Sequence, residues 1–294
     1  MKKALTIFTP TYNRVNELKK LYKSLTMQKN KNFIWFVIDD GSTDETREYV
    51  KNIMKEKVIS IKYFYKPNGG KITTFPIAVK SCTTEYLCCV DSDDFLNKND
   101  IDIIYDEIGD CKENDILGWV FPRKSKNICI EELGQFNYNE IDIMDLKFLT
   151  GKNFETTIVF IPKKIRDIEI KTYRNEKFMS EEVFYNELSG IGKFLYINKE
   201  VVSSEYLSDG LTNTLYKNYY KSFKSSITLF NSRYQFLKKY GFCIRVQNQI
   251  KVIINLNAIC LAKKENILKN SPSVFLSIIL LPISIYWKRK KYEK

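Results

Sequence analysis

Tyr86-Leu87-Cys88-Cys89-Val90-Asp91-Ser92-Asp93-Asp94 is a short apolar run that ends abruptly in three carboxylates. A run of that length bounded by polar residues predicts a buried strand. Three acids at its end repel one another in a low-dielectric surrounding. Something cationic is therefore expected beside them, and an oxygen-rich site favours a hard divalent ion, Mg²⁺ or Mn²⁺. The plainer alternative is that the acids cap a following helix.

Upstream, the chain alternates. Lys3–Thr9 predicts a first strand ended by Pro10, and Arg14–Gln28 a helix with Leu18, Leu21, Tyr22 and Leu25 on one face. Phe33–Ile38 is a second buried strand, ending in the turn residues Asp39-Asp40-Gly41-Ser42-Thr43-Asp44 ahead of a helix over Glu45–Lys55. Val58–Tyr65 is a third strand, Pro67–Gly70 a loop, and Thr73–Ser81 a less regular helix. Strand and helix alternating at this spacing means right-handed crossovers and a mostly parallel sheet. Ligands bind such sheets outside the carboxyl ends of the strands. The polar clusters Thr9–Asn13, Asp39–Asp44 and Asp91–Asp94 all fall there, so Asp39 and Asp91 are expected at one crevice.

Further on, Ile116–Phe121 and Thr156–Ile161 predict strands and Ile141–Leu149 a short helix. Ser180 is a plausible N-cap, with Glu181 and Glu182 in the first turn of a helix to about Leu188. A carboxylate at a helix start can complement the helix dipole or serve as a general base.

Composition narrows the chemistry. No histidine occurs, which removes His triads, His ligands and His bases. Seven cysteines, odd in number and without a CxxC pair, suggest reduced thiols in a cytoplasm rather than a disulfide framework. Lys2 and Lys3 precede an apolar stretch too short for a signal peptide, so a cytoplasmic location is expected. No GxGxxG follows the first strand and no GxxxxGK(S/T) occurs, which excludes the phosphate cradles of dinucleotide-binding dehydrogenases and P-loop NTPases.

Charge is uneven. Residues 213–294 hold 16 Lys and Arg against two acids, a net +14, so the first 212 residues sum to −2 of the total +12. Helices are expected at Tyr216–Tyr240 and Phe242–Lys264. Ser271–Trp287 is nearly uncharged, is broken by Pro282 and is followed by Lys288-Arg289-Lys290-Lys291. That run is marginal for a span of about 20 residues. A segment lying on an anionic membrane through residues 271–294, at the inner face of the plasma membrane, is the first reading. Packing on the catalytic body is the second. Nucleic acid is disfavoured, since its binding faces interleave charge with aromatics.

The ordered set Thr9-Pro10-Thr11-Tyr12-Asn13-Arg14, Asp39–Asp44, Asn68-Gly69-Gly70-Lys71, Asp91–Asp94, Ser180-Glu181-Glu182 and Glu205–Thr212 resembles a bacterial family 2 glycosyltransferase of the GT-A fold. The resemblance covers residues 3 to about 212. It implies an α/β fold, with a mostly parallel sheet flanked by helices as the catalytic domain (1–212), followed by the region 213–294 that the sequence reads as an α-helical C-terminal region. It also implies inverting transfer from a nucleoside-diphosphate sugar, a UDP-sugar first, to a glycan or lipid-linked acceptor in surface polysaccharide synthesis. Asp39 would accept from the base, Tyr12 would lie along its ring, and Asp91 would hold the ribose. Lys71 would approach the diphosphate, with Thr9, Pro10, Arg14, Asp40, Ser42, Asn68, Gly70 and Ser92 completing the donor site. Asp93 and Asp94 would hold Mn²⁺ or Mg²⁺, and Glu182 would be the base, with Glu181 the second candidate. The family often has Asp at the base position and His after Gly-Lys; here these are Glu182 and Ile72. Two rival readings are a paired-carboxylate glycosidase, which leaves the Asp39–Ser42 turn unexplained, and a non-catalytic nucleotide- or glycan-binding protein.

Overall fold

In the computed structural model, which describes residues 4–109, 116–124, 130–204 and 214–293, the apolar runs become the strands of one mixed sheet. The chain divides into two compact units, residues 1–147, 152–169 and 188–207 in the first and 148–151, 170–187 and 208–294 in the second.

In the first unit the order begins β1 (Leu5–Thr11), α1 (Val15–Thr26), β2 (Phe33–Asp39), α2 (Thr46–Glu56), β3 (Ser60–Tyr65), α3 (Phe75–Ser81) and β4 (Tyr86–Cys89). It continues with β5 (Asp94–Phe95), α4 (Asp100–Gly109), β6 (Ile116–Pro122), β7 (Glu140–Ile141), α5 (Asp145–Thr150, its last residues belonging to the second unit), β8 (Thr156–Phe160) and α6 (Pro162–Ile165), and, after α7 (Glu182–Leu188), which belongs to the second unit up to residue 187, with β9 (Lys193–Tyr196) and β10 (Ser203–Ser204). The sheet runs β3-β2-β1-β4-β8-β6-β9-β7, and β5 pairs separately with β10. Strands β3, β2, β1 and β4 are parallel, so their carboxyl ends share one edge, whereas β8 is antiparallel to both β4 and β6.

All seven residues of β1 are buried, as a central strand covered on both faces requires. Leu5, Ile7, Trp35, Val37, Cys88 and Val90 join Leu18, Leu21 and Leu25 of α1 in one core. Tyr22 stacks on Trp35 with ring centroids 5.9 Å apart, so the predicted face of α1 is the buried one. Pro10 does not end β1, which continues to Thr11. The Phe8 carbonyl accepts from Val90, so residue 10 faces the same side, where β4 has already ended at Cys89 and no N–H is needed. The predicted helix over Ile141–Leu149 begins only at Asp145, because the Asp145 carboxylate accepts from the Asp142 N–H (2.9 Å) and makes the turn after β7. Helix α4 and strand β9 were not foreseen.

In the second unit the helices are α8 (Leu215–Lys221), α9 (Phe223–Phe236), α10 (Phe242–Lys263), α11 (Ile267–Asn270), α12 (Val274–Ile279) and α13 (Leu281–Tyr292). Asn257 of α10 is fully buried and donates to the Ser277 carbonyl (3.0 Å) and to Ser284 Oγ (3.3 Å). Trp287 donates to Asn255 Oδ1 at 3.0 Å, fastening α13 along α10. Among the described residues no helix is long and apolar enough to cross a membrane. The segment Glu205–Thr212 lies outside the described residues.

Gly118 in β6 is a steric necessity: a Cβ there would lie 2.0 Å from the Val159 carbonyl oxygen of β8. Gly118→Ala is expected to cost about 3 kcal/mol or more, as overpacking against backbone does. Urea unfolding should show it as a lowered midpoint at unchanged slope.

Candidate active site

Each strand of the parallel half ends in turn chemistry, and side chains tie these ends together. After β1, Asn13 takes the left-handed conformation (φ 51°), and its Oδ1 accepts from the Thr43 N–H at 2.8 Å. Its own N–H donates to Ser42 Oγ at 2.9 Å. After β2, the fully buried Asp39 accepts from the Ser42 N–H (2.7 Å) and the Tyr63 hydroxyl (2.7 Å). Burial and that bond push the Tyr63 hydroxyl far above its ordinary range, so it stays a donor. A carboxylate has about four lone-pair sites, so these two bonds do not exhaust those of Asp39.

Asp40 turns to the loop after β3. It accepts from the Gly69 N–H (2.9 Å) and the Gly70 N–H (2.7 Å) and pairs with Lys66. Gly41, at φ +86°, lets the Asn68 backbone approach so closely that a Cβ would sit 2.6 Å from its nitrogen. The loop that presents Lys71 is thus held by the loop that presents Asp39.

The acidic cluster after β4 meets three cations. Lys71 Nζ lies 2.6 Å from Asp91, Arg123 lies 2.6 Å from Asp94 and 3.6 Å from Asp91, and Arg14 donates to Asp93 at 3.2 Å. Burial pushes Asp91 up, but the Lys71 ammonium and the Arg123 guanidinium outweigh it and hold the carboxyl well below the usual range. Asp94 moves the other way. Burial raises it, and the charges of Asp91 and Asp93 add to that against the pull of Arg123. Arg123 follows β6 in an otherwise unremarked stretch and was missed by sequence reasoning. The only signal for it was the repulsion among the acids, which demanded a cation without saying which.

The structure therefore brings Arg14, Asp39, Asp40, Ser42, Gly70, Lys71, Asp91, Asp93 and Asp94 to one edge of the sheet. Thr9 is turned inward, where its buried hydroxyl accepts from the Trp35 indole at 3.0 Å. Pro10 and Ser92 are buried, and Tyr12 is 46% exposed. Thr11 Oγ1 and Asn68 Oδ1 are buried at this edge without a protein partner, loose ends for a polar ligand.

The remaining predicted residues lie at the start of α7, and Glu182 is in the second unit. Both Glu182 oxygens are held by Arg233 of α9, one at 2.6 Å from Nη2. Burial would lower Arg233, but Glu182 outweighs it and keeps the guanidinium firmly charged. The half-buried Glu181 accepts from the Tyr185 hydroxyl at 3.1 Å. The preceding segment is fastened along α8–α9. Tyr173 bonds Thr228 (2.7 Å), Glu176 accepts from the Lys224 and Ser225 N–H groups (2.9 and 2.7 Å), and the Phe178 N–H donates to Ser222 (3.2 Å).

The family model described as "Glycosyl transferase family 2" matches residues 6–165, more than half of the chain. A Campylobacter jejuni protein named GalNAc(5)-diNAcBac-PP-undecaprenol beta-1,3-glucosyltransferase is 27% identical over 232 residues, 76% of this chain and 72% of its own length. An uncharacterized glycosyltransferase of Rickettsia conorii is 37% identical over 99 residues, and there the match spans 34% of this chain and only 16% of the relative. Among solved structures, S. aureus TarS 1-349 in complex with UDP-GlcNAc superposes with a TM-score of 0.58 at 16% identity, covering 98% of this chain and 89% of that one. Mannosyltransferase PcManGT of Pyrobaculum calidifontis, in complex with GDP-Man and Mn²⁺, gives 0.54 at 11% identity, covering 98% and 83%.

Removing Arg123 should leave the buried Asp94 without its cation and the half-buried Asp91 with Lys71 alone. Arg123→Gln is expected to destabilise by about 3–5 kcal/mol, and Arg123→Lys by less, because a point charge replaces the fork. Denaturant unfolding of the two variants measures the difference.

Proposed function

The chain belongs to glycosyl transferase family 2 and has the GT-A fold, and on that premise we propose that it transfers a sugar, with inversion, from a nucleoside-diphosphate donor to an acceptor hydroxyl. The observation that carries the reading is the edge where the ends of β1, β2, β3 and β4 are knitted by Asn13–Thr43, Asp40–Gly70 and Lys71–Asp91. It offers a buried acceptor at Asp39, an exposed aromatic at Tyr12 and the cations Arg14, Lys71 and Arg123. Those are the groups that a base, a ribose and a diphosphate call for.

In the proposed mechanism Asp39 accepts from the base, Tyr12 lies along the ring, and Asp91 takes the ribose hydroxyls. Lys71 moves from Asp91 to the diphosphate as charge builds on the leaving group. The acceptor oxygen attacks the anomeric carbon in line, the bond from that carbon to the diphosphate oxygen breaks, and the hydroxyl proton goes to Glu182. Arg233 occupies two of about four lone-pair sites on that carboxylate, which orients it and leaves room for the acceptor proton.

The donor set fits a hard divalent ion, Mn²⁺ or Mg²⁺. Such ions are commonly held by one or two carboxylates and completed by substrate phosphates, and among the described residues no group of three or more Asp, Glu, Cys or His side chains is arranged to hold one alone. Asp93, the more exposed and more loosely paired, is the proposed ligand. Asp94, 4% exposed and tied to Arg123, is its neighbour. When bound, the ion would offset charge on the diphosphate. UDP-GlcNAc in the TarS structure supports a UDP-sugar donor, and the undecaprenol in the name of the Campylobacter relative supports a lipid-linked acceptor; on this proposal that acceptor sits at the inner face of the plasma membrane, in surface polysaccharide synthesis.

The test is a panel of nucleotide sugars with Mn²⁺ or Mg²⁺, read as nucleoside diphosphate released and sugar transferred. Donor binding without turnover across the panel would favour the non-catalytic alternative. Asp93→Asn is expected to remove most turnover and metal-dependent nucleotide affinity at an unchanged unfolding midpoint; full turnover in excess chelator would overturn the metal assignment.

For the base, Glu182→Gln is expected to lower transfer roughly 10²–10⁴-fold while nucleotide affinity, read by titration calorimetry, survives. Should Glu181→Gln be inactive and Glu182→Gln active, the base is Glu181 and Glu182 only holds Arg233.

A further inference from the structure

Helices α12 and α13 are inside out. Their buried positions include the small polar residues Ser277 (1% exposed) and Ser284 (0%), which meet Asn257 of α10. Their large apolar residues face outward: Phe275 is 71% exposed, Ile278 59%, Ile279 55%, Ile283 51% and Tyr286 63%. A helix of a soluble domain buries its apolar stripe and turns its polar one to water. Here no described residue covers the stripe, and contiguous apolar patches of this kind mark interaction sites.

We propose that this stripe docks on an anionic lipid surface, with Phe275, Ile278, Ile279 and Ile283 entering the boundary between headgroups and acyl chains. Charge decides for lipid over a second protein. On α13 the face of Ile283 and Tyr286 continues, at helical spacing, into the exposed Arg289 and Lys290. Ile283 and Lys290 are seven residues apart, about 10 Å or two turns along the helix, so the apolar and basic groups lie on neighbouring stretches of one face. Residues 213–294 carry a net +14, a surplus that would repel a second copy and attract anionic headgroups. Trp287, its N–H bonded to Asn255 and its ring beneath Lys290 and Lys291, sits where apolar and basic residues meet.

Removing residues 271–294 would not isolate lipid binding from folding. The inner faces of α12 and α13 pack on α10 through Asn257 and Asn255, so the truncation would strip the helical unit. Lipid binding and packing use opposite faces of the same helices, and only substitutions on the outer face separate them.

This docking face deepens the membrane part of the function proposed above and rests on it, but its test reads lipid binding alone and is indifferent to transfer activity. The full chain is sedimented with vesicles of phosphatidylcholine and of phosphatidylcholine mixed with phosphatidylglycerol, at low and high salt. Wild type is expected to favour the anionic vesicles, with the preference shrinking as salt rises. Phe275→Ser with Ile279→Ser should lower partitioning into both at least ~10-fold. Arg289→Gln with Lys290→Gln should lower only the anionic preference, by roughly 30-fold at low salt. Unchanged thermal unfolding of each double variant shows that folding is intact. Wild type that ignores both vesicles overturns the proposal, as do stripe variants that sediment like wild type. A wild-type dimer in sedimentation velocity that the stripe variant dissociates, with lipid binding unchanged, assigns the face to self-association instead.

Discussion

Three carboxylates at the end of β4 cannot share a partly buried edge unless cations share it too, and much of the site is arranged around that constraint. Arg14 comes from the start of the first crossover, Lys71 from the loop after β3, and Arg123 from the end of β6. Each carboxylate that draws in a cation also draws in the backbone that carries it. Desolvation makes ionised groups expensive alone and makes their pairing strong. A charge-balanced edge of this kind stays folded without a ligand and still presents exchangeable cations to an incoming diphosphate.

Asp40 does for the neighbouring loops what the acidic cluster does for the edge. Its two oxygens take the Gly69 and Gly70 N–H groups and Lys66, so the loop carrying Lys71 is preformed. Gly41 is required because the Asn68 backbone passes where its Cβ would be. Preorganisation of this sort reduces what a ligand must spend on ordering the loop.

The helical unit is more than a basic appendage. It carries the segment that precedes α7, through Tyr173, Glu176 and Phe178, and it fixes Glu182 by a two-pronged bond from Arg233. The carboxylate proposed as base therefore takes its orientation from α9. The same unit buries serines under α12 and α13 while leaving Phe275 and Ile283 in the open, an arrangement that packing in water alone does not reward.

Local pattern determined a good deal. The apolar runs at β1, β2, β4, β6 and β8, the turn residues after β2 and the leucine face of α1 were all legible, because strand and helix period are properties of the chain itself. So was the gathering of polar clusters at the carboxyl edge, which follows from parallel crossovers. What only the tertiary structure decided were the partners. That Arg123 neutralises Asp91 and Asp94, that Thr9 serves the core rather than the edge, that Asp145 postpones a helix, and that Arg233 holds Glu182 depend on residues brought together from up to 51 positions apart or on one local hydrogen bond among several equally allowed. Sequence spacing carries the period of an element but not the identity of what it meets. Burial decides that identity, because an ionised group removed from water must take whatever opposite charge the fold places beside it.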